Sequence, residues 1–547
     1  MAPREELLVI LDLTSTVLRA GVGVTDLIRG PLLELPTRIG RKKGARGTQV
    51  EDYLVGHYLS QEEAKVASDG PSFDIVFPLE MDPQTGFNVT DWVGLEAIFR
   101  YALHVSLQLA RPPLAHPTVV SVPPSLPHAT TDRLHRLLFE RLLVPSLLLS
   151  SRPFFAAGAS GVTSALVLDV GWRGEGCEVS VVHENQVLEA PGGSRLGWVD
   201  EGVLDDYAAV QIWQENRVAL LDAFKRAKLE AHTKQGTANG ELERDDSELV
   251  LTEGELLDGV RRIVGELKNQ DMIGFASKHY QPVAGAAGGD GIDGEDDGSF
   301  DVAKAVVEGK VSDIVNKKKS TTKSTASSAK PDGDYVTIPN PFSPPPPPAS
   351  VDLTVPAPEI PPHANVTIGP SRHAYLEPLF FPQVLSTQLS SKNPHAREIG
   401  LTYFEHIQVP HAGIQELIGA VLNEIEDKDA REAVSENLIV VSSGRVACNK
   451  ALGSTLVPLL SPYVQSPVAI DLYSEGGPTM NKLAMKFART PDYFSNFKRH
   501  GGDWAVYLGQ CIMGKLLIGD QQSKLFMSKA DYAQKGPAYY RQLDLIA

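Results

Sequence analysis

Two short stretches hold the residues best able to do chemistry. In Leu7–Gly23, LLVILDLTSTVLRAGVG, an apolar run reaches one acid, Asp12, crosses Thr14, Ser15 and Thr16, and turns apolar again around Arg19. This pattern predicts a buried strand, a tight polar turn and a returning strand. A carboxylate at the mouth of such a turn, beside exposed backbone N–H groups, can hold a phosphate and its metal ion. Taken alone, the stretch fits better an ordinary hairpin whose acid caps a turn. The second stretch, ALVLDVG (Ala165–Gly171) followed by CEVSVVHENQVL (Cys177–Leu188), repeats the layout of strand, Asp169, turn at Gly171 and strand. Two such hairpins could face each other across a cleft and hold opposite ends of a polyphosphate. The pair is a stronger signal than either alone.

The elements that must position these acids alternate strand and helix as far as about residue 200, which predicts an α/β fold with a mixed sheet between helices. Thr90 or Asp91 can cap a helix whose apolar stripe is Trp92, Leu95, Ile98, Phe99 and Leu103. Pro117–Ser125 reads as a buried strand. HATTDRLHRLLFERLLVPSLLLS reads as a helix stopped at Pro145 and a further strand, and SRPFFAAGASG as a short helix. Residues 209–280 read as helical. Composition then shifts to glycine and acid, to lysine, serine and threonine, and to PFSPPPPPAS. The stretch 283–361 therefore lacks the apolar density that offsets ordering entropy, and disorder is expected there, with Lys317–Lys319 as solvated linker. Order is expected to resume at Val366–Pro382. HAGIQELIGAVLNEIEDKDAREAV reads as helix, and ENLIVVSSGRVA as a buried strand leading into a small-residue turn. DWAVYLGQCIMGKLL is expected to be a strand followed by a glycine-bearing helix.

With 547 residues, the length predicts two to four domains. Cys177, Cys448 and Cys511 are too few and too scattered for a disulfide framework or a zinc site, which suits a reducing compartment. The opening MAPREELLVILDL reads as neither signal peptide nor membrane anchor. A formal net charge of −17 argues against a surface built for nucleic acid and favours protein partners. Arg41, Lys42, Lys43 and Arg46 form a basic loop, expected to be solvated.

In this order, DLTSTVLRAGVG, LPTRIGR, YLVGHYLSQEEA, GFNVTDW, ALVLDVG, VTIGPSRHAYLEPLFFP, VVSSG, AVYLGQCIMGKLL and SKADYAQKGP together resemble the actin family. The resemblance covers nearly all of 1–280 and 362–547. It implies an actin-like α/β fold of two lobes around a nucleotide-type cleft, with a long disordered insertion. The implied parts are a first lobe over 1–198 (with a small basic-loop subdomain at about 36–75), a helical outer part of the second lobe over 199–282, the insertion over 283–361, and the rest over 362–547. LELPT (Leu33–Thr37) and RTPDYFSNFKRHGGDWAVYLG are similar to divergent nuclear members of that family in fungi. Those members serve as subunits of SWI/SNF- and RSC-type chromatin remodellers. They pair with a second actin-related protein on a helix of the motor ATPase, reach nucleosome or DNA only indirectly, and do not meet membrane.

The departures from the family concern the chemistry. The family's first hairpin has glycines on both sides of a serine, whereas Thr14, Ser15 and Thr16 stand here, and β-branched residues crowd such a turn. The family's phosphate lysine falls on Arg19, the glutamine that positions the hydrolytic water on Arg152, and its neighbouring histidine on Glu178. The next acidic position of the second hairpin is Trp172, and Arg445 replaces a small threonine. The resemblance thus implies a vestigial cleft of Asp12, Ser15, Arg19, Asp169, Gly171 and Gly444, with no catalytic residue, no metal and no cofactor expected. An ATP-binding switch using Mg-ATP is one alternative. The other is an actin-related subunit of the dynein activator complex, which VPSLLLSSRPFFAAGASGVTSALVLDVG also resembles. Tyr493, Phe494 and Phe497 are candidate partner contacts, although aromatics are so often buried that core packing is the favoured role.

Overall fold

The structure is a computed structural model. It describes residues 7–24, 28–65, 72–82, 86–111, 114–124, 126–172, 176–188, 195–196, 199–239, 251–277, 336–339, 365–403, 412–464, 485–491, 494–497, 500–519 and 525–543. Two mixed sheets dominate them. The first contains β1 (Val9–Leu13), β2 (Val17–Val22), β3 (Leu33–Pro36), β9 (Thr118–Val122), β10 (Ser146–Ser151) and β19 (Met527–Ser528), in the order β19-β10-β9-β1-β2-β3. The second runs β13-β12-β11-β17-β18, from β11 (Ala165–Val170), β12 (Cys177–His183), β13 (Gln186–Leu188), β17 (Asn437–Ser442) and β18 (Lys486–Phe487). Each sheet repeats one arrangement: an antiparallel hairpin, β1/β2 or β11/β12, whose first strand also pairs in parallel with a later strand, β9 or β17.

Both key strands are buried on both faces, and alternation of side chains decides which way each acid points. Along β1, Val9, Leu11 and Leu13 enter a core on the outer face of the first sheet, while Leu8 and Ile10 enter a core between the two sheets. Asp12 continues the Leu8, Ile10 row. Along β11, Leu166, Leu168 and Val170 face the outer core of the second sheet, and Ala165 and Val167 face the same shared core. Asp169 continues that row. Each carboxylate therefore projects between the sheets, one step beyond the last apolar residue.

Two helices fill the shared core: α4 (Arg152–Ser160) and, near the end of the chain, Gly501–Gly519. The second covers DWAVYL, where a strand was expected. Its apolar residues serve both sheets and α4 at once, so the run lacks the one-sided stripe of a surface helix. Gly509 permits the crossing with α4, since a Cβ there would lie 1.8 Å from the Phe155 carbonyl oxygen.

Other elements follow the sequence with local changes. Asp91 caps α2 (Trp92–Arg100), its carboxylate accepting from the Gly94 N–H at 2.8 Å. The stretch Cys177–Leu188 breaks into β12 and β13 at Glu184 and Asn185, whose φ values of 50° and 65° make a tight hairpin turn. The helical stretch after residue 200 is α5 (Glu201–Asn239) and α6 (Glu253–Asn269), the latter started by a Thr252–Glu255 capping box. The helix expected at HAGIQELIGAVLNEIEDKDAREAV is two, Ile414–Glu424 and Lys428–Ser435, because Asp427 caps a new start. Two boundaries shift. The second sheet begins at Ala165, inside the segment assigned to the first lobe, because β11 pairs with β17 rather than with β10. Most of 283–361 lies outside the described residues, but Val336–Pro339 within it is a strand paired antiparallel with Asn365–Ile368, so disorder there is corrected at that point.

Because the Gly509–Phe155 approach is backbone against side-chain position, Gly509→Ala should cost on the order of 1–3 kcal/mol through overpacking. Urea denaturation of the variant beside the unchanged protein measures this.

Candidate functional site

The ends of β1, β9, β10, β11 and β17 converge on one cleft between the sheets. Asp12 is fully buried there. Ser121, its parallel neighbour on β9, donates its hydroxyl to Asp12 Oδ1 at 2.7 Å. Arg152, the first residue of α4, is 2 % exposed and reaches across: Nη1 donates to Asp12 Oδ1 at 2.6 Å and Nε to Asp169 Oδ2 at 2.8 Å. One guanidinium thus joins the acids of both hairpins. Arg19, opposite Asp12 on β2, donates from Nη1 to Asp12 Oδ2 at 3.3 Å and from Nη2 to the Ser443 carbonyl at 3.1 Å. Its Nε meets Glu34 Oε1 at 3.1 Å, which also accepts from Trp504 Nε1 at 2.6 Å.

In the turns that could cradle an anion, several described N–H groups bond to the protein itself. In the first, the Thr14 hydroxyl accepts from the Thr16 N–H at 3.3 Å and the Val17 N–H at 3.0 Å. Ser15 is held aside, its carbonyl accepting the Thr37 hydroxyl. In the second, the Gly171 N–H donates to the Gly176 carbonyl at 2.9 Å. After β17, Glu201 accepts from the Arg445 N–H at 2.7 Å and the Val446 N–H at 3.4 Å. Gly444 is what admits Glu201, because a Cβ there would sit 2.2 Å from Glu201 Oε2. Glu201 opens α5, where Asp200 caps the helix through the Val203 N–H at 3.0 Å.

A buried charge network backs this end of the cleft. Lys268 Nζ donates to Glu201 at 3.0 Å and to Asp205 at 2.7 Å, and lies 5.0 Å from the Trp172 ring centroid. Burial pulls the Lys268 ammonium down, but the Glu201 and Asp205 carboxylates outweigh it and hold its pKa above the ordinary value. Asp503, bonded by the Ser442 hydroxyl at 3.3 Å, is pushed up to about 7, first by burial and then by the charge of Glu201.

Between Thr14, Arg152, Asp169, Glu178 and Ser443 the cleft retains a cavity of about 20 Å³. A single water needs roughly 10–15 Å³ on that measure. At the wall of this cavity Arg152 is the shared partner of Asp12 and Asp169. The Arg152 guanidinium is permanently charged and carries donors only, so it cannot take a proton from a water.

The six residues read from sequence divide accordingly. Asp12, Arg19, Asp169 and Gly171 meet at the cleft, Gly444 shapes it, and Ser15 is buried in the first turn with its carbonyl bonded by Thr37. Glu201, Asp503, Ser121 and Lys268 gave no local signal, because their partners lie far along the chain. The basic-loop residues Lys42, Lys43 and Arg46 are exposed as expected. Of the partner-contact candidates, Tyr493 lies outside the described residues and Phe494 is half-buried. Phe497 takes the favoured core role, 1 % exposed and edge-on to Trp504 at 5.9 Å.

Residues 4–245 match the family model described as actin, and the mixed α/β architecture is that of an actin domain. The chain is similar to an actin-like protein of Neurospora crassa, 30% identical over 166 residues, covering 30% of this chain and 40% of that protein. It is 28% identical over 185 residues to actin-related protein 4 of Arabidopsis thaliana, covering 33% and 38% of the two chains. To actin-like protein 7A of Bos taurus it is 26% identical over 144 residues, covering 26% and 30%. The matched stretch thus spans two fifths or less of each relative's length.

Two outcomes test the charge network. Arg152→Ala removes the guanidinium shared by Asp12 and Asp169, leaving Asp12 with only Arg19 and Ser121, and should lower stability by up to about 3–5 kcal/mol in chemical denaturation. Asp503, ordinarily at 3.8, binds its proton more tightly in the fold. Its contribution is therefore complete below about pH 4 and fades as pH rises to about 7. Denaturation midpoints across that range should fall more steeply for the unchanged protein than for Asp503→Asn.

Proposed function

We propose that the whole chain is an actin-related protein that works as a scaffold rather than as an ATPase. The observation that carries this reading is the Arg152 guanidinium between Asp12 and Asp169, with 2.6 and 2.8 Å bonds to the two acids. A hydrolytic site needs those acids free for a metal ion and a residue able to orient and deprotonate water. Here the acids are bonded to a side chain that only donates. The turn amides that would meet phosphate are engaged by Thr14 and Glu201.

The partner assignment rests on the sequence resemblance to fungal actin-related protein 9, carried by LELPT and by RTPDYFSNFKRHGGDWAVYLG. In this reading the protein is nuclear and belongs to a SWI/SNF- or RSC-type remodeller. With a second actin-related protein it holds a helix of the motor ATPase and tunes the coupling of hydrolysis to DNA translocation. Such a helix would dock by apolar anchors at i, i+3, i+4 and i+7. Contact with nucleosomal DNA is indirect, in keeping with a net charge of −17.

Two measurements test the two halves separately. A nucleotide at a hundred times its Kd raises stability by about 2.7 kcal/mol. Millimolar Mg-ATP should therefore leave the melting temperature unchanged, and a clear upward shift would favour an ATP-binding switch instead. Tagged full-length protein should co-purify with a remodeller ATPase and a second actin-related protein. Recovery with dynein-activator subunits in their place would overturn the assignment.

A further inference from the structure

We propose that Arg152 and Arg19 form a built-in latch that closes the cleft between the two sheets without any ligand. At one end the seam is a dry core, in which α4 and Gly501–Gly519 pack against Ile10 and Val119 of the first sheet and Val167 and Val441 of the second. Among the described residues, the inward rows of β1 and β11 terminate at the cleft end in acids, Asp12 and Asp169. A hinge that is dry on one side and carries a fully buried carboxylate and a largely enclosed one on the other would be driven open, because water would solvate the acids.

The two guanidiniums reverse that balance. Arg152 projects from the start of α4, inside the hinge, and bonds an acid of each sheet. Arg19 projects from the first sheet and bonds both Asp12 and, across the cleft, the Ser443 carbonyl at the end of β17. Their Arg fork geometry allows each to make bonds in two directions, which a lysine cannot reproduce. Both are nearly inaccessible to solvent, at 2 % and 4 % exposure, so the pairs are weakly screened. A second tie reinforces Arg19: Glu34 accepts from both Arg19 and Trp504, fixing β3 to the start of the hinge helix.

Lobe closure in this protein is thus set during folding, and any surface that spans both sheets is presented in one arrangement whatever the nucleotide supply. The latch rests on the non-nucleotide half of the reading above and is independent of the remodeller assignment, so a failed co-purification leaves it standing.

Amide hydrogen exchange on the full chain tests it. The unchanged protein should show the same protection at the turns 14–17 and 442–446 in EDTA and in millimolar Mg-ATP. Arg152→Gln should exchange at those turns at least tenfold faster, while amides inside β1 and β11 keep their protection. Arg152→Lys should resemble Arg152→Gln, since charge alone does not bridge two acids. If Arg152→Gln does not fold, Asp169→Asn serves instead: it leaves Arg152 bonded to Asp12, weakens the crossing bond, and should loosen the same turns. Unchanged exchange at the turns in a folded variant, or protection in the unchanged protein that rises with Mg-ATP, overturns the latch.

Discussion

Two carboxylates at the inner ends of β1 and β11, Asp12 fully buried and Asp169 largely enclosed, are the constraint on which the cleft depends. An ionised acid removed from water needs a partner with good geometry and further hydrogen bonds, or it neutralises or drives the structure apart. Asp12 receives Arg152, Arg19 and Ser121, and Asp169 receives Arg152. Position 152 is the only one of these that touches both acids, so the residue there decides what the cleft can hold. With a guanidinium in that position the requirement is met from within the chain.

The same logic extends to the rest of the cleft. Backbone N–H groups in tight turns are obligatory donors. Where a turn stays open they are available to a phosphate; here Thr14, Gly176 and Glu201 take them. Substitutions that look independent in sequence therefore act together. Threonine in the first turn supplies an acceptor to its own loop, glycine at 444 makes room for Glu201, and Lys268 neutralises Glu201 from behind. Removing one alone would leave the others in place, so recovering an open cleft would take several changes at once.

The hinge is built independently of the polar end. Its position is determined by the dry core around α4 and Gly501–Gly519, where Gly509 lets one helix approach the backbone of the other. That core does not involve the acids. The architecture can therefore persist while the residues at the cleft change, and the fold does not by itself imply an activity.

Local sequence was sufficient for the two strand-turn-strand units, because alternating burial and a single acid leave their mark within a few residues. The Asp91 cap and the Pro145 stop were legible for the same reason. Sequence failed at DWAVYL, where the first half of the helix Gly501–Gly519 is buried against both sheets and α4 and so shows no one-sided apolar stripe. Arg152 could be aligned with a water-positioning residue, but its reach to Asp12 and Asp169 could not be read. Those bonds join residues 140 and 17 positions away, and Glu201 joins a turn 244 positions away. The sequence by itself determined the fold and marked the cleft as altered, since both are written in local patterns. Only the tertiary structure decided what fills the cleft, because that depends on distances between strand ends that no local pattern encodes.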